Sequence, residues 1–150
     1  MKTLTLSDCV FTHVQENIDK LIYLRYLNSS DNKKLRILPE TLCNLVNLQT
    51  LKLNDCYKIK RLPKGNVKLT SLHNLHLLRS GVEGIPKSLS KLTNLESLDQ
   101  FQVATDDKEA MKLEDLSRLS SLRRAISIDG TGKVEDTSET NSRIKCTSII

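Results

Sequence analysis

The chain has no tryptophan, and phenylalanine and tyrosine together supply only 3% of its 150 residues. Any core must therefore be aliphatic, and basic residues interleaved with aromatics, the pattern that stacks nucleic-acid bases, are missing. No nucleic-acid partner is expected. No apolar run approaches the roughly 20 residues of a membrane span. The opening MKTLTLSDCV has neither the charged lead nor the sustained apolar stretch of a secretory signal, so a cytoplasmic protein is expected. Cys-x-x-Cys spacing is lacking, and His73 and His76 have no cysteine pair nearby, which argues against a metal site. The nearest approach to a phosphate loop, Gly130-Thr131-Gly132-Lys133, continues with Val134 rather than Ser or Thr and reads as a turn. The adjacent acids Asp106-Asp107 and Glu114-Asp115 read as solvated or capping groups. His13, His73 and His76 belong to no triad. An enzyme is not expected, nor a cofactor site in this chain.

What the sequence has is leucine at a fixed spacing. Leu24-Arg25-Tyr26-Leu27, Leu48-Gln49-Thr50-Leu51, Leu72-His73-Asn74-Leu75 and Leu95-Glu96-Ser97-Leu98 recur at intervals of 24, 24 and 23 residues. Met1, Leu4, Leu6 and Cys9 fill the same template one period earlier, and Asn32, Cys56 and more loosely Ser80 complete later copies. This is the period and template of a leucine-rich repeat. On this register the chain opens inside a repeat, with no cap before it.

Each copy divides into two halves with different physics. Alternating leucines suit a short strand with apolar side chains inward and polar ones in solvent, one strand per repeat, stacked into a parallel sheet. The second halves, Leu38-Pro39 with Leu42 and Leu45, Leu62-Pro63 with Leu69, and Ile85-Pro86 with Leu89 and Leu92, repeat apolar residues every three positions. That spacing predicts helical or 3₁₀ turns, with proline setting φ at their start. The first copy carries Val14, Ile18 and Leu21 there. The expected fold class is an α/β leucine-rich-repeat solenoid of five to six repeats, spanning residues 1–130, with 131–150 as a poorly ordered tail rich in Ser, Thr and charge.

Four cysteines allow three disulfide pairings. Cys9 and Cys56 occupy the template's inward position, so they read as small core residues, and Cys43 falls in a helical segment. Asn28-Ser29-Ser30 is a formal glycosylation sequon, read as coincidence without a secretory signal. Asn66 stands where aligned copies have Leu42 and Leu89. It predicts either a buried amide costing about 1–3 kcal/mol or a local twist that turns Val67 inward.

Two surfaces are candidates for binding. The solvent-facing strand positions form one column of Thr3, Tyr26, Thr50, Asn74 and Ser97 and a second of Thr5, Asn28, Lys52, His76 and Asp99, a polar strip suited to a protein ligand. The net charge of +5 is concentrated between repeats in Lys33, Lys34 and Arg36, then Lys58, Lys60, Arg61, Lys64 and Lys68. These are expected to share a flank, either as a solvated loop face or as a docking site for an acidic surface.

The runs Leu21-Ile22-Tyr23-Leu24-Arg25-Tyr26-Leu27, Leu38-Pro39 through Leu51, Cys56 and Arg61-Leu62-Pro63-Lys64-Gly65 resemble the repeats of plant intracellular nucleotide-binding leucine-rich-repeat disease-resistance proteins of the coiled-coil class. Leu92 through Val103, a polar insertion, then Lys112 to Leu116, Leu119, Leu122-Arg123 and Ile126-Ser127-Ile128 follow that family's order. The resemblance implies repeats that recognise a pathogen effector or guarded host protein and restrain a nucleotide-binding module. The family's ADP/ATP site lies in a domain absent here, so no residue of this chain inherits it. The same resemblance implies a fragment of such a receptor. A repeat adaptor unrelated to defence and an extracellular receptor ectodomain are the alternative readings.

Overall fold

A computed structural model describes residues 1–104, 106–124, 126–129 and 144–145. Strands β1 (Thr3–Thr5), β2 (Tyr26–Asn28), β3 (Thr50–Lys52), β4 (Asn74–His76) and β5 (Ser97–Leu98) form one parallel sheet in chain order. Strands β6 (Gln100–Gln102), β7 (Ile126–Asp129) and β8 (Ile144–Lys145) form a second, also parallel. Within the first sheet Leu4, Leu27, Leu51, Leu75 and Leu98 pair strand to strand in register. Leu27, Leu51, Leu75 and Leu98 are buried beside Leu24, Leu48, Leu72 and Leu95. The expected solenoid is thus found. Residues 131–143 and 146–150, to which the poorly ordered tail was assigned, lie outside the described residues, as does the Gly130–Lys133 turn.

The second halves are 3₁₀ turns: Glu16–Lys20, Glu40–Asn44, Lys64–Lys68, Lys87–Lys91 and Leu113–Arg118. Pro39, Pro63 and Pro86 precede three of them, with φ between −69° and −56°, the range that the pyrrolidine ring imposes. The three-residue period explains the choice of helix. In a 3₁₀ turn residues three apart eclipse, so Leu42, Leu45 and Leu48 all face the core, and the Leu45 amide closes on the Leu42 carbonyl at 3.1 Å. At the start of the last turn, the Asp115 carboxylate accepts the Lys112 amide at 3.0 Å, a capping role as expected.

Cys56 is buried and its thiol donates to the Ser29 carbonyl at 3.0 Å. Cys9 corrects the expectation, because it is exposed: its repeat is the first of the sheet and nothing described packs on its outer side. Its amide still donates to Asn32 Oδ1 at 2.8 Å. Cys9, Cys43 and Cys56 are free thiols. Burial pushes the Cys43 thiol up to about 11 and raises that of Cys56, consistent with core rather than reactive cysteines.

Asn66 takes the inward alternative. It is 4% exposed while Val67 is 37% exposed, so the chain does not twist to exchange them. Asn66 Oδ1 accepts from Ser88 Oγ at 2.7 Å, but its Nδ2 has no partner among the described residues. Gly81 marks a second irregularity. Asp55 and Arg79 share the same left-handed turn position 24 residues apart, whereas Arg61 bridges Gly84 only 23 away, so the intervening segment has lost one residue. The shortened path brings Gly81 so close that a Cβ would sit 2.0 Å from the Tyr57 carbonyl oxygen.

Two stability predictions follow from these positions. Asn66→Leu removes a half-paired buried amide and raises the urea midpoint, a gain of about 1 kcal/mol; an unchanged or lower midpoint rejects buried frustration there. Gly81→Ala forces its Cβ onto backbone and costs about 1–3 kcal/mol, read in the same titration, whereas a neutral result would mean that the shortened turn can relax.

Candidate functional site

The strand sheet carries the expected strip. Thr3, Tyr26, Thr50, Asn74 and Ser97 pair in sequence across five strands, and Thr5, Asn28, Lys52 and His76 pair beside them. Tyr26, Asn28, Thr50, Lys52, Asn74, His76 and Asp99 are partly exposed, and Thr3 and Thr5 exposed. Ser97 differs: at 2% exposure it is floor rather than contact surface, being a short side chain in register with the longer Asn74. The strip is internally braced. Lys52 Nζ lies 5.6 Å from the Tyr26 ring centroid, a cation–π distance, and Asn74 Nδ2 donates to Thr50 Oγ1 at 3.3 Å. Asn28 Oδ1 accepts the Ser30 amide at 3.0 Å, and the Ser29 and Ser30 of the formal sequon are buried.

Asp99 lies one residue beyond β5 and does more than its column position indicates. In earlier repeats the amides of Leu6, Ser29 and Leu53 donate to the backbone carbonyls of Asn28, Lys52 and His76 on the next strand. The corresponding amide of Leu77 donates instead to the Asp99 side chain, Oδ1, at 2.7 Å. One step on, the amides of Asp8, Asp31 and Asp55 reach the carbonyls of Ser30, Asn54 and Leu78, but Arg79 donates to Gln100 Oε1 at 2.7 Å. Side chains of Asp99 and Gln100 therefore replace two backbone acceptors where the sheet breaks between β5 and β6. The other Asp99 oxygen lies 3.0 Å from His76 Nδ1. This role was missed from the sequence, although the one-residue shift that buries Phe101 where the Leu98-x-Leu pattern expects residue 100 was its signal.

The basic residues are all exposed. Lys33, Lys34 and Arg36 occupy the post-strand turn of one repeat and Lys58, Lys60 and Arg61 that of the next, so these share a flank. Lys64 and Lys68 open and close a 3₁₀ turn and extend the set toward the opposite face. Lys60 is paired with Glu83 at 2.7 Å. Beside the flank runs a row of residues at positive φ, Asp8, Asp31, Asp55 and Arg79. Short polar side chains tolerate that conformation, but arginine does so less readily. Arg79 is held there by Asp55, through Nε to Oδ1 at 2.6 Å and Nη2 to Oδ2 at 2.9 Å. Hydrogen bonding from Arg79 holds the Asp55 carboxyl below its usual range. Among the described residues no group of three or more His, Cys, Asp or Glu is placed to hold a metal ion, and no helix is long and apolar enough to cross a membrane.

Comparison with known proteins agrees with the fold. Residues 1–147 match the family model described as a leucine-rich repeat region. Over 111 residues, 74% of this chain, the sequence is 36% identical to an Arabidopsis thaliana protein named "Putative disease resistance protein", a distant homology. The chain spans only 12% of that relative's length. A leucine-rich-repeat protein of Leptospira interrogans superposes with a TM-score of 0.53 at 21% identity, covering 86% of this chain and 43% of its own, which is a likeness of fold.

Asp99→Ala leaves the Leu77 amide without its acceptor and should cost about 1–3 kcal/mol in denaturant unfolding. Asp99→Asn keeps a carbonyl oxygen there and should cost distinctly less. Equal losses would show that charge, not the replaced ladder bond, is what Asp99 contributes.

Proposed function

Because the chain belongs to the leucine-rich repeat region family, we propose that it is a non-catalytic protein-recognition module that acts inside the cell as part of a plant disease-resistance receptor. The observation that carries the reading is the in-register polar strip from Thr3 to His76, continued by Asp99: a rigid parallel sheet presenting varied side chains, with one aromatic, Tyr26, at its N-terminal side. Strands in such a sheet repeat about every 4.8 Å, a spacing that favours an extended protein surface over a small enclosed ligand. The homology to the Arabidopsis protein supports the defence context.

In this reading the strip contacts a pathogen effector or a guarded host protein, and the basic flank docks an acidic surface of the receptor's nucleotide-binding module. The flank's chemistry supports an electrostatic contact. Lysine and arginine exposed on loops contribute to orientation and association rate more than to tight affinity. The module itself supplies no nucleotide chemistry; ADP or ATP belongs to the partner domain.

Two measurements test this. Calorimetry of the purified chain with ADP should give no saturable heat, and a saturable signal would sink the recognition-module reading. Charge reversal of Lys33, Lys34 and Arg36 to glutamate should weaken binding to a recombinant nucleotide-binding module from a receptor of the resembled class by about 0.5–1 kcal/mol per charge at low salt. Undiminished binding would reduce the flank to a solvated face.

A further inference from the structure

The end of the polar insertion that follows β6, Glu109 to Met111, packs on the preceding repeat. The Lys87 amide donates to the Glu109 carbonyl at 2.9 Å, the Met111 amide to the Ile85 carbonyl at 2.7 Å, and Ala110 bridges Pro86. Ala110 and Met111 are buried. Gly84 makes the fit possible, since a Cβ there would meet Ala104 at 3.1 Å and Ala110 at 3.4 Å. Asp107 Oδ1 accepts the Glu109 amide at 2.9 Å, which fixes the acidic turn.

The consequence is a juxtaposition of charge. Asp106 and Asp107 line one polar groove of about 590 Å³ together with Lys60 and Arg61. Asp107 and Glu109 line a second, of about 220 Å³, with Arg61, Lys64 and Lys87. Arg61 and Asp107 belong to both. Glu83, also in the larger groove, already pairs with Lys60. Lys60, Arg61 and Lys64 of the basic flank thus share grooves with the chain's own carboxylates, while Lys33, Lys34, Arg36, Lys58 and Lys68 are exposed and line neither groove.

We infer that the acidic insertion carrying Asp106 and Asp107 is a built-in competitor for the basic flank, occupying the Arg61 end of it and weakening the docking of an acidic partner segment there. The inference rests on the docking reading of that flank and adds its regulation: an incoming acidic surface lands first on Lys33, Lys34 and Arg36, and reaches Arg61 only against the field of the insertion's own carboxylates. Any change that neutralises or lifts the insertion widens the site.

The test uses the whole chain and a fluorescein-labelled glutamate-rich peptide, followed by anisotropy at low ionic strength. Asp106→Asn with Asp107→Asn keeps the side-chain oxygen that caps Glu109 and removes two charges. It should tighten peptide binding about fivefold, the effect of two like charges near 8 Å from the ligand in a high-dielectric surround. The gain should shrink as salt is added and should vanish when Arg61→Glu is added to the pair. Lys34→Glu should weaken the peptide equally in both backgrounds, and unchanged thermal melting of the asparagine pair would confirm an intact fold. Peptide binding by the native chain with no gain in the asparagine pair overturns this inference and leaves the docking reading standing. A gain that survives Arg61→Glu overturns it as well, since it would then reflect net charge alone. Absence of binding in every form overturns both.

Discussion

The constraint on which the whole molecule depends is lateral. No repeat can cover its own inward leucines; each finds cover only on the next, and the parallel ladder that joins neighbouring strands sets the distance at which that cover arrives. The amides of Arg25, Gln49, His73, Glu96 and Arg123 each enter a strand by bonding a carbonyl on the repeat before. Because these bonds recur at the same place in every copy, the leucine columns stay in register, and so does everything on the outer face. A buried leucine is worth roughly 1.5–3 kcal/mol, but that gain exists only where the ladder holds two repeats together.

Side chains take over, at several repeat boundaries, work that the backbone does elsewhere. Asn32 stitches the first two repeats by donating to the Leu6 and Ser29 carbonyls and accepting from the Cys9 amide. Asn47 and Asn94 donate across a repeat boundary to the carbonyls of Ile22 and Thr70. Asp99 and Gln100 supply the acceptors lost at the break between the two sheets, beyond which the register offset lengthens from the 23 residues of Leu75 and Leu98 to the 27 of Phe101 and Ile128. Gly81 answers the opposite problem, a segment one residue short. Polar and small residues at these places are therefore structural, however much they resemble candidate sites.

Periodicity made most of the fold legible. The spacing of Leu24, Leu48, Leu72 and Leu95 gives the strands, their parallel order and their pairing, and the three-residue spacing with Pro39, Pro63 and Pro86 gives the 3₁₀ turns. What periodicity could not express is an interaction specific to one repeat. Ser97 fits its column by sequence, and only its short side chain beside Asn74 makes it floor. Cys9 fits the inward template, yet inwardness requires a neighbour on both sides. Arg79 in a left-handed conformation depends on Asp55, 24 residues earlier, and a linear pattern does not state that pair. The basic residues were visible as clusters; that Lys60 is tied to Glu83 and that Arg61 shares its grooves with Asp107 follows from the fold and not from any repeat.

This division bears on how the outer face can vary in sequence. Asn28 and Asp99 hold backbone amides, so substitution there alters the fold as well as the outer face. Tyr26 and Lys52 meet each other over the sheet rather than supporting the ladder, and Thr3 and Thr5 are exposed at its edge. Sequence change at these positions can re-aim the strip while the leucine columns beneath keep their register. A solenoid separates the two duties because alternation along a strand sends adjacent residues to opposite faces. The inward residue answers to the next repeat and the outward one is free of that constraint. Asp99 is the place where that separation fails, since a single carboxylate faces the strip through His76 and closes the ladder through Leu77. The outer face at that end of the strip is therefore coupled to the integrity of the sheet break, and acidic residues of the insertion that follows the break share grooves with part of the basic flank.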